Sequence, residues 1–226
     1  MKSISGYYSQ KLAGLRLKRC YDIAPPRVQQ YLKAEIEYVL SKIHPQDCVL
    51  ELGCGYGRVL KELSRNSRLA AGIDTSSKSL EWGADFLGKS SKCRLLQMDA
   101  TRMAFPDKTF DLTVCLQNGI SAFHVDKLAL LRESLRVTRP GGRVLFSSYA
   151  EEFWPDRLNW FRLQAAEDLV GEIDETATGN GVIVCKDGFT ATTVNEAEFR
   201  SLCSSLGHQP VLHTVDSSSL FCEIIK

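Results

Sequence analysis

The stretch VLELGCGYGR, Val49 to Arg58, decides the fold. Apolar residues run straight into three alternating glycines, Gly53, Gly55 and Gly57, and Glu51 stands two positions before the first. An apolar strand that ends in such a loop and feeds a helix is a nucleotide-cofactor platform. Its glycines let the backbone approach a ligand where a Cβ would clash, and the helix N-terminus adds free N–H groups. A GxGxG loop alone is a weak signal. Here a second apolar run, LAAGID, ends in Asp74, and a third, RLLQMDA, reaches Asp99. That series makes the signal strong.

Strand and helix alternate outward from this stretch. Asp47–Leu52 is the expected first strand, with a helix from Arg58. Arg68–Ile73, Arg94–Met98 and Phe110–Leu116 read as the next three strands, with a helix at Lys78–Leu87. Asp126–Val137 is an amphipathic helix, and RPGGRVLFSSY supplies a turn and a fifth strand, Arg143–Ser148. This order implies a parallel sheet with helices on both faces. After a helix at Glu196–Leu206, the runs Gln209–Val215 and Leu220–Ile225 are joined by DSSS. So short a connection makes that pair antiparallel. The expected fold class is therefore α/β, a doubly wound, mostly parallel seven-stranded sheet closed by a C-terminal antiparallel hairpin.

Two decorations surround this core. Ahead of it, helices at Ser9–Tyr21 and Val28–Ile43 are separated by Pro25–Pro26, so residues 1–44 read as a helical cap or lid. The main domain spans 45–226, with an insertion at about 150–194. Its first half is helical and aromatic (Phe153, Trp154, Trp160, Phe161), and its second half, GVIVCKDGFTATTV, reads as a hairpin turning at Asp187–Gly188.

Composition limits the function classes. The 226 residues are 44% hydrophobic with a net charge of +1, enough for a sizeable core and without the basic stripe of a nucleic-acid binder. The N-terminal MKSISGYYSQKL lacks a signal-peptide core, and no run approaches the roughly 20 apolar residues of a membrane span. The eight cysteines show neither CxxC pairs nor zinc spacing, so no metal is expected. They read as reduced, mostly buried thiols of a cytoplasmic protein.

In an open α/β sheet, ligands sit at the carboxyl ends of the strands where strand order reverses. That places Glu51–Gly57, Asp74, Asp99 and Gln117–Asn118 around one crevice. A carboxylate at Asp74 can take both hydroxyls of a ribose. Asp99 beside the N–H of Ala100 can read an adenine edge. A dinucleotide site would carry GxGxxG, but Arg58 occupies the place of the third glycine. Glu51 ahead of the loop suits an aminoacyl group better than a diphosphate.

The chain at this point resembles the class I S-adenosylmethionine-dependent methyltransferases. VLELGCGYGR is similar to their first motif, GID at Asp74 to their ribose acid, and QMDA to their adenine-contacting motif. FPDKTFDLTVCLQN and LRESLRVTRPGGRVLF are similar to the stretches around their fourth and fifth strands. The likeness runs from Asp47 to Tyr149. It implies S-adenosylmethionine as cofactor and S-adenosylhomocysteine as product. By this resemblance Glu51, Gly53 and Gly55, with Cys54 between the two glycines, belong to the methionine side. Asp74 takes the ribose, Thr75 and Ala100 the adenine faces, and Asp99 the adenine amino group. Gln117, with Asn118 beside it, lies at the cofactor's centre.

Candidates near the transferred methyl are His124, Tyr8 and Tyr21, with Tyr7 beside Tyr8. His124 is equally readable as a helix-start residue beside the cap Asp126. Cys54, Cys115 and Trp82 are expected in the core, and Arg16, Lys18 and Arg19 on a solvated face. The aromatic decorations point to a small, partly apolar acceptor held under a lid. A protein acceptor, a non-catalytic cofactor-binding subunit and a dinucleotide reductase are the alternatives.

Overall fold

The computed structural model describes residue 7, residues 11–88 and residues 92–226. Among the described residues, helices α1 (Leu15–Asp22) and α2 (Pro26–Leu40) precede the first strand, β1 (Cys48–Leu52). Then follow α3 (Arg58–Asn66), β2 (Leu69–Asp74), α4 (Ser77–Leu87), β3 (Cys93–Gln97) and β4 (Phe110–Cys115). A short α5 (Gly119–Ala122) leads to α6 (Lys127–Val137) and β5 (Thr138–Tyr149). The insertion holds α7 (Trp154–Ala166) and the two-residue strands β6 (Ile183–Val184) and β7 (Thr190–Ala191), and α8 (Glu196–Ser204), β8 (Val211–Val215) and β9 (Ser219–Ile225) complete the chain.

Local chemistry sets these boundaries. Pro26 opens α2, where its fixed φ suits a first turn and its missing N–H costs nothing. Ser76, Asp126 and Asn195 cap α4, α6 and α8 by accepting first-turn N–H groups. Of the helix expected over Ser9–Tyr21, Ser9 and Gln10 lie outside the described residues, and the chain is helical again from Leu15. Residues 11–14 form a turn, and Gly14, at φ +60°, donates its N–H to Ser79 Oγ instead of continuing a helix. β5 is longer than expected because its Pro-Gly-Gly stretch pairs with the chain end, Gly141 N–H donating to the Lys226 carbonyl.

One seven-stranded sheet runs in the order β3-β2-β1-β4-β5-β9-β8. All neighbours are parallel up to β5, and β9 is antiparallel to both β5 and β8. The expected closing hairpin is present, and so is the insertion hairpin, β6 pairing antiparallel with β7. Every residue of β1 is buried, as a central parallel strand with helices on both faces requires. Its side chains alternate between two cores. Leu50 and Leu52 join Ile73, Leu131 and Phe146 on one face, while Val49 joins Leu60, Leu63, Val114 and Phe221 on the other. A third apolar cluster binds α1 and α2 to the insertion through Cys20, Tyr31, Phe153, Trp160, Phe161 and Phe189. Seven of the eight cysteines are buried, Cys93 being the half-buried one. No described helix is long and apolar enough to cross a membrane.

Strand order reverses between β1 and β4, on either side of which the chain winds outward. That is the switch point of a doubly wound sheet, and the crevice lies outside its carboxyl ends.

Candidate functional site

A cavity of about 430 Å³ opens at this switch point. Its volume lies within the range of small-molecule sites. Gly53 and Gly55 reach it from the end of β1, Asp74 and Thr75 from β2, Asp99 and Ala100 from β3, and Gln117 from β4. α1 roofs it with Leu17 and Tyr21, and Phe123, His124 and Val125 form a wall.

The glycines are required by their contacts. Gly53 (φ +69°) faces Phe123 so closely that a Cβ would lie 2.3 Å from the ring, and a Cβ on Gly55 (φ +53°) would lie 2.9 Å from the Leu17 side chain. Any larger residue would push the wall or the roof away. Asp74 is held by its backbone neighbours: Gly55 N–H donates to Oδ2 and Ser76 N–H to Oδ1, each at 2.8 Å. Burial raises its pKa, and those N–H groups oppose the rise. Asp99 is oriented by Thr101, whose N–H and hydroxyl both donate to Oδ1.

Beneath the glycine loop lies a second chamber of about 40 Å³. It shares Leu17, Tyr21, Gly53, Gly55 and Gln117 with the main cavity and adds Glu51, Cys54 and Arg58. Glu51 is only 4% exposed, and its Oε2 has no hydrogen-bond partner. Burial pushes its pKa up to about 8, against the pull of Arg58 and with the push of Asp74. Nε and Nη2 of Arg58 and Nε2 of Gln117 are likewise buried without partners. Cys54 belongs to this lower chamber, where its thiol packs against Gly72.

The β4 turn is pinned from below and from the side. Gln117 and Asn118 both adopt left-handed φ, a conformation that needs outside support in non-glycine residues. Glu35, fully buried on α2, accepts the Gln117 N–H at 3.0 Å and the Ser219 hydroxyl at 2.8 Å. Burial lifts its pKa to about 7, against the hydrogen bonds it accepts. Asn118, expected at the cofactor's centre, does not line the cavity. Its amide donates to the Thr192 carbonyl and accepts from Ser148, so it ties the turn to the insertion.

Tyr21 lines the cavity and donates its hydroxyl to Gln117 Oε1. Tyr7 also lines it, donating to Asp187 of the insertion, and Tyr8 lies outside the described residues. His124 lines the wall at φ +52°, with Nε2 buried and unpartnered. Burial, and then Lys127, hold its pKa below the ordinary value, so the imidazole is neutral at neutral pH. Trp82 is not at the cavity; it packs with Tyr56 and Phe86. Arg16 and Arg19 on α1 are solvent-exposed as expected and also bond to the insertion, Arg19 to Glu167 and Arg16 to the Asp168 carbonyl.

Sequence reading missed Arg58 and Glu35. Arg58 was visible as the residue in place of a third glycine. Glu35 stands four residues from both Tyr31 and Val39, a carboxylate on the buried stripe of an otherwise apolar helix face.

Residues 49–142 match the family model described as a methyltransferase domain. A sterol 4-C-methyltransferase of Caenorhabditis elegans is 24% identical over 135 residues, covering 55% of this chain and 40% of that protein. A demethylmenaquinone methyltransferase of Mycobacterium marinum is 35% identical over 109 residues, covering 48% and 44%. The aligned part is thus less than half the length of either curated relative. Among solved structures, the magnesium protoporphyrin IX methyltransferase of Synechocystis with bound S-adenosylhomocysteine has a TM-score of 0.64 at 15% identity, over 99% of this chain and 97% of that one. A methyltransferase of Methanosarcina mazei has a TM-score of 0.62 at 19% identity, over 84% and 96%. At these identities the likeness to solved structures is one of fold.

Proposed function

We propose, for a chain whose residues 49–142 match a methyltransferase-domain model, that the protein transfers the methyl group of S-adenosylmethionine to a small, uncharged, partly apolar acceptor. The residues fit that cofactor. Gly53 and Gly55 leave no room for a Cβ, Asp74 and Asp99 are held in place by local hydrogen bonds, and Glu51 keeps an unpartnered oxygen beneath the loop. In this reading Asp74 holds the ribose hydroxyls. Asp99 and the Ala100 N–H hold the adenine edge, Thr75 flanks the ring, and Glu51 and Gln117 serve the methionine part.

Convergence of Gly53, Gly55, Asp74, Asp99 and Ala100 on one cavity carries the proposal. The bound cofactor supplies an already activated methyl group. The protein's part is to align the acceptor with it and to exclude water. Where the acceptor carries a proton, neutral His124 takes it.

The nature of the acceptor follows from the rest of the lining. Tyr7, Leu12, Leu17, Phe123 and Val125 make it apolar and aromatic, and no Lys or Arg is found among the described lining residues. An anionic acceptor would enter without a counter-charge. Sterol and menaquinone precursors, named for the relatives above, are acceptors of this kind. The N-terminal segment up to Ala24 acts as the lid of the site; its described helix α1 is tied to the insertion.

Turnover with S-adenosylmethionine over a panel of neutral, anionic and cationic acceptors tests this, with S-adenosylhomocysteine as the measured product. Neutral ring-bearing acceptors should lead. Transfer only to a protein substrate, or none at all with the cofactor bound, would contradict the reading.

A further inference from the structure

The turn that leaves β4 is built against its own preference. Gln117 and Asn118 follow one another at φ +53° and +61°. Left-handed backbone is costly for residues with a Cβ unless the surroundings hold it. Asn118 is held through its side chain by Thr192 and Ser148. Gln117 is held through its side chain by Tyr21 and through its backbone by Glu35. The Gln117 N–H donates to Glu35 Oε2 at 3.0 Å, across 82 positions of sequence.

Glu35 is an unusual choice for its place. It is fully buried on α2, where Val28, Tyr31 and Leu32 join the insertion cluster and Val39 joins the sheet core. Such packing calls for an apolar side chain, and a carboxyl group there is costly to bury. What a carboxyl supplies, and a leucine does not, is two acceptors. Oε2 takes the Gln117 N–H, and Oε1 takes the Ser219 hydroxyl at 2.8 Å where β9 begins. With both oxygens bonded, the group is fixed in one orientation. Glu35 is not among the described residues that line the cavity, but the turn it holds is continuous with the cavity wall. In α5 the Ala122 N–H donates to the Asn118 carbonyl and the Phe123 N–H to the Gly119 carbonyl, so the turn carries Phe123, His124 and Val125.

Resting on the methyltransferase reading, we propose that Glu35 is a positioning residue for the acceptor side of the site. By holding the Gln117 N–H it sets the β4 turn, and through α5 the wall of Phe123, His124 and Val125, at the alignment that methyl transfer requires. It touches neither cofactor nor acceptor. Asp74 and Asp99 are oriented by their own neighbours, Gly55, Ser76 and Thr101. Loss of Glu35 therefore falls on the transfer step rather than on cofactor binding.

The test uses the full chain. Turnover of the neutral ring-bearing acceptor that leads the panel above gives kcat and KM, and calorimetry gives the affinity for S-adenosylhomocysteine. Glu35→Leu keeps the apolar packing and removes both acceptors. It should lower kcat at least about tenfold and leave S-adenosylhomocysteine affinity within about threefold, because small misplacement of aligned groups costs rate first. Glu35→Gln keeps an oxygen for the Gln117 N–H and turns its amide N–H to Ser219 Oγ, so it should restore kcat to within about threefold of wild type. A merely structural role would lower Tm in both variants without this rescue of kcat. Unchanged kcat in folded Glu35→Leu, or Glu35→Gln as slow as Glu35→Leu, overturns the proposal. So does a loss of S-adenosylhomocysteine affinity as large as the loss of kcat. If Glu35→Leu does not fold, hydrogen exchange of ligand-free wild-type protein decides. The Gln117 amide should be protected, and exchange at the rate of an exposed loop amide overturns the proposal. Failure of wild-type protein to turn over any acceptor removes the methyltransferase reading, and the proposal with it. Wild-type turnover matched by both variants removes the positioning role alone.

Discussion

Tyr21 donates its hydroxyl to Oε1 of Gln117 across 2.9 Å, joining residues 96 positions apart. The donor ends the roof helix and the acceptor sits inside the cavity. The other long-range polar ties of α1 run to the insertion: Arg19 to Glu167, Arg16 to the Asp168 carbonyl, and the Trp160 indole N–H to the Cys20 carbonyl. Roof and insertion are therefore one assembly, and Tyr21 is where that assembly touches the turn after β4.

Tyr21→Phe should loosen the roof without unfolding the protein. A neutral hydrogen bond contributes about 1 kcal/mol, so local opening of α1 should become roughly fivefold more frequent. Hydrogen exchange of residues 15–22 reads this directly. Unchanged exchange would show that the bond does not hold the roof.

Asp187 accepts both the Tyr7 hydroxyl and the Lys11 ammonium. Lys11 is more than half exposed, so the pair is worth at most about 1 kcal/mol. Asp187→Ala should lower Tm by no more than about 2–4 °C while accelerating exchange of residues 11–14. The same segment should gain protection when S-adenosylhomocysteine binds. Equal protection in free and bound protein would make it a permanent scaffold rather than a lid.

Asp74→Ala should weaken S-adenosylhomocysteine more than tenfold, since charge-assisted hydrogen bonds contribute about 1.5–3 kcal/mol each. Asp74→Asn should recover part of that loss by keeping one carbonyl oxygen. Circular dichroism controls for folding, because Gly55 and Ser76 lose their acceptor in the alanine variant. An unchanged dissociation constant would remove Asp74 from the site.

Two buried carboxyls give a stability prediction against pH. Burial raises Glu35 to about 7 and Glu51 to about 8. The folded state therefore holds these protons more tightly than the unfolded chain, and stability declines as pH rises from the ordinary carboxyl range toward 8. Burial raises Asp74 with the same sign. His124, lowered instead, contributes its stability above about pH 6.5. Between pH 6.5 and 8 the Tm of the ligand-free protein should fall, and Glu51→Gln should flatten that fall. A Tm rising over this interval would contradict the burial of both groups as neutral acids.

The sheet and the acids that line its cavity were legible because each is a local pattern. β1 with its glycine loop, Asp74 closing β2 and Asp99 after β3 are each fixed by fewer than ten consecutive residues, and their common location follows from strand order. Asn118 was not legible. Its role depends on Thr192 and Ser148, distant in sequence, which take its side chain away from the cavity. The α1 arginines are solvated as the sequence suggested, but their ties to Glu167 and Asp168, about 150 residues away, were not legible. Periodicity could likewise mark the apolar stripe of α2 but not that Glu35 within it meets Gln117 and Ser219.

Calorimetric titration of the full chain with S-adenosylhomocysteine and with NADH, side by side, tests the central claim most directly. Saturable binding of S-adenosylhomocysteine, lost or much weakened in Asp74→Ala, with no response to NADH, is the expected result. Tight binding of NADH with none of S-adenosylhomocysteine would contradict the account.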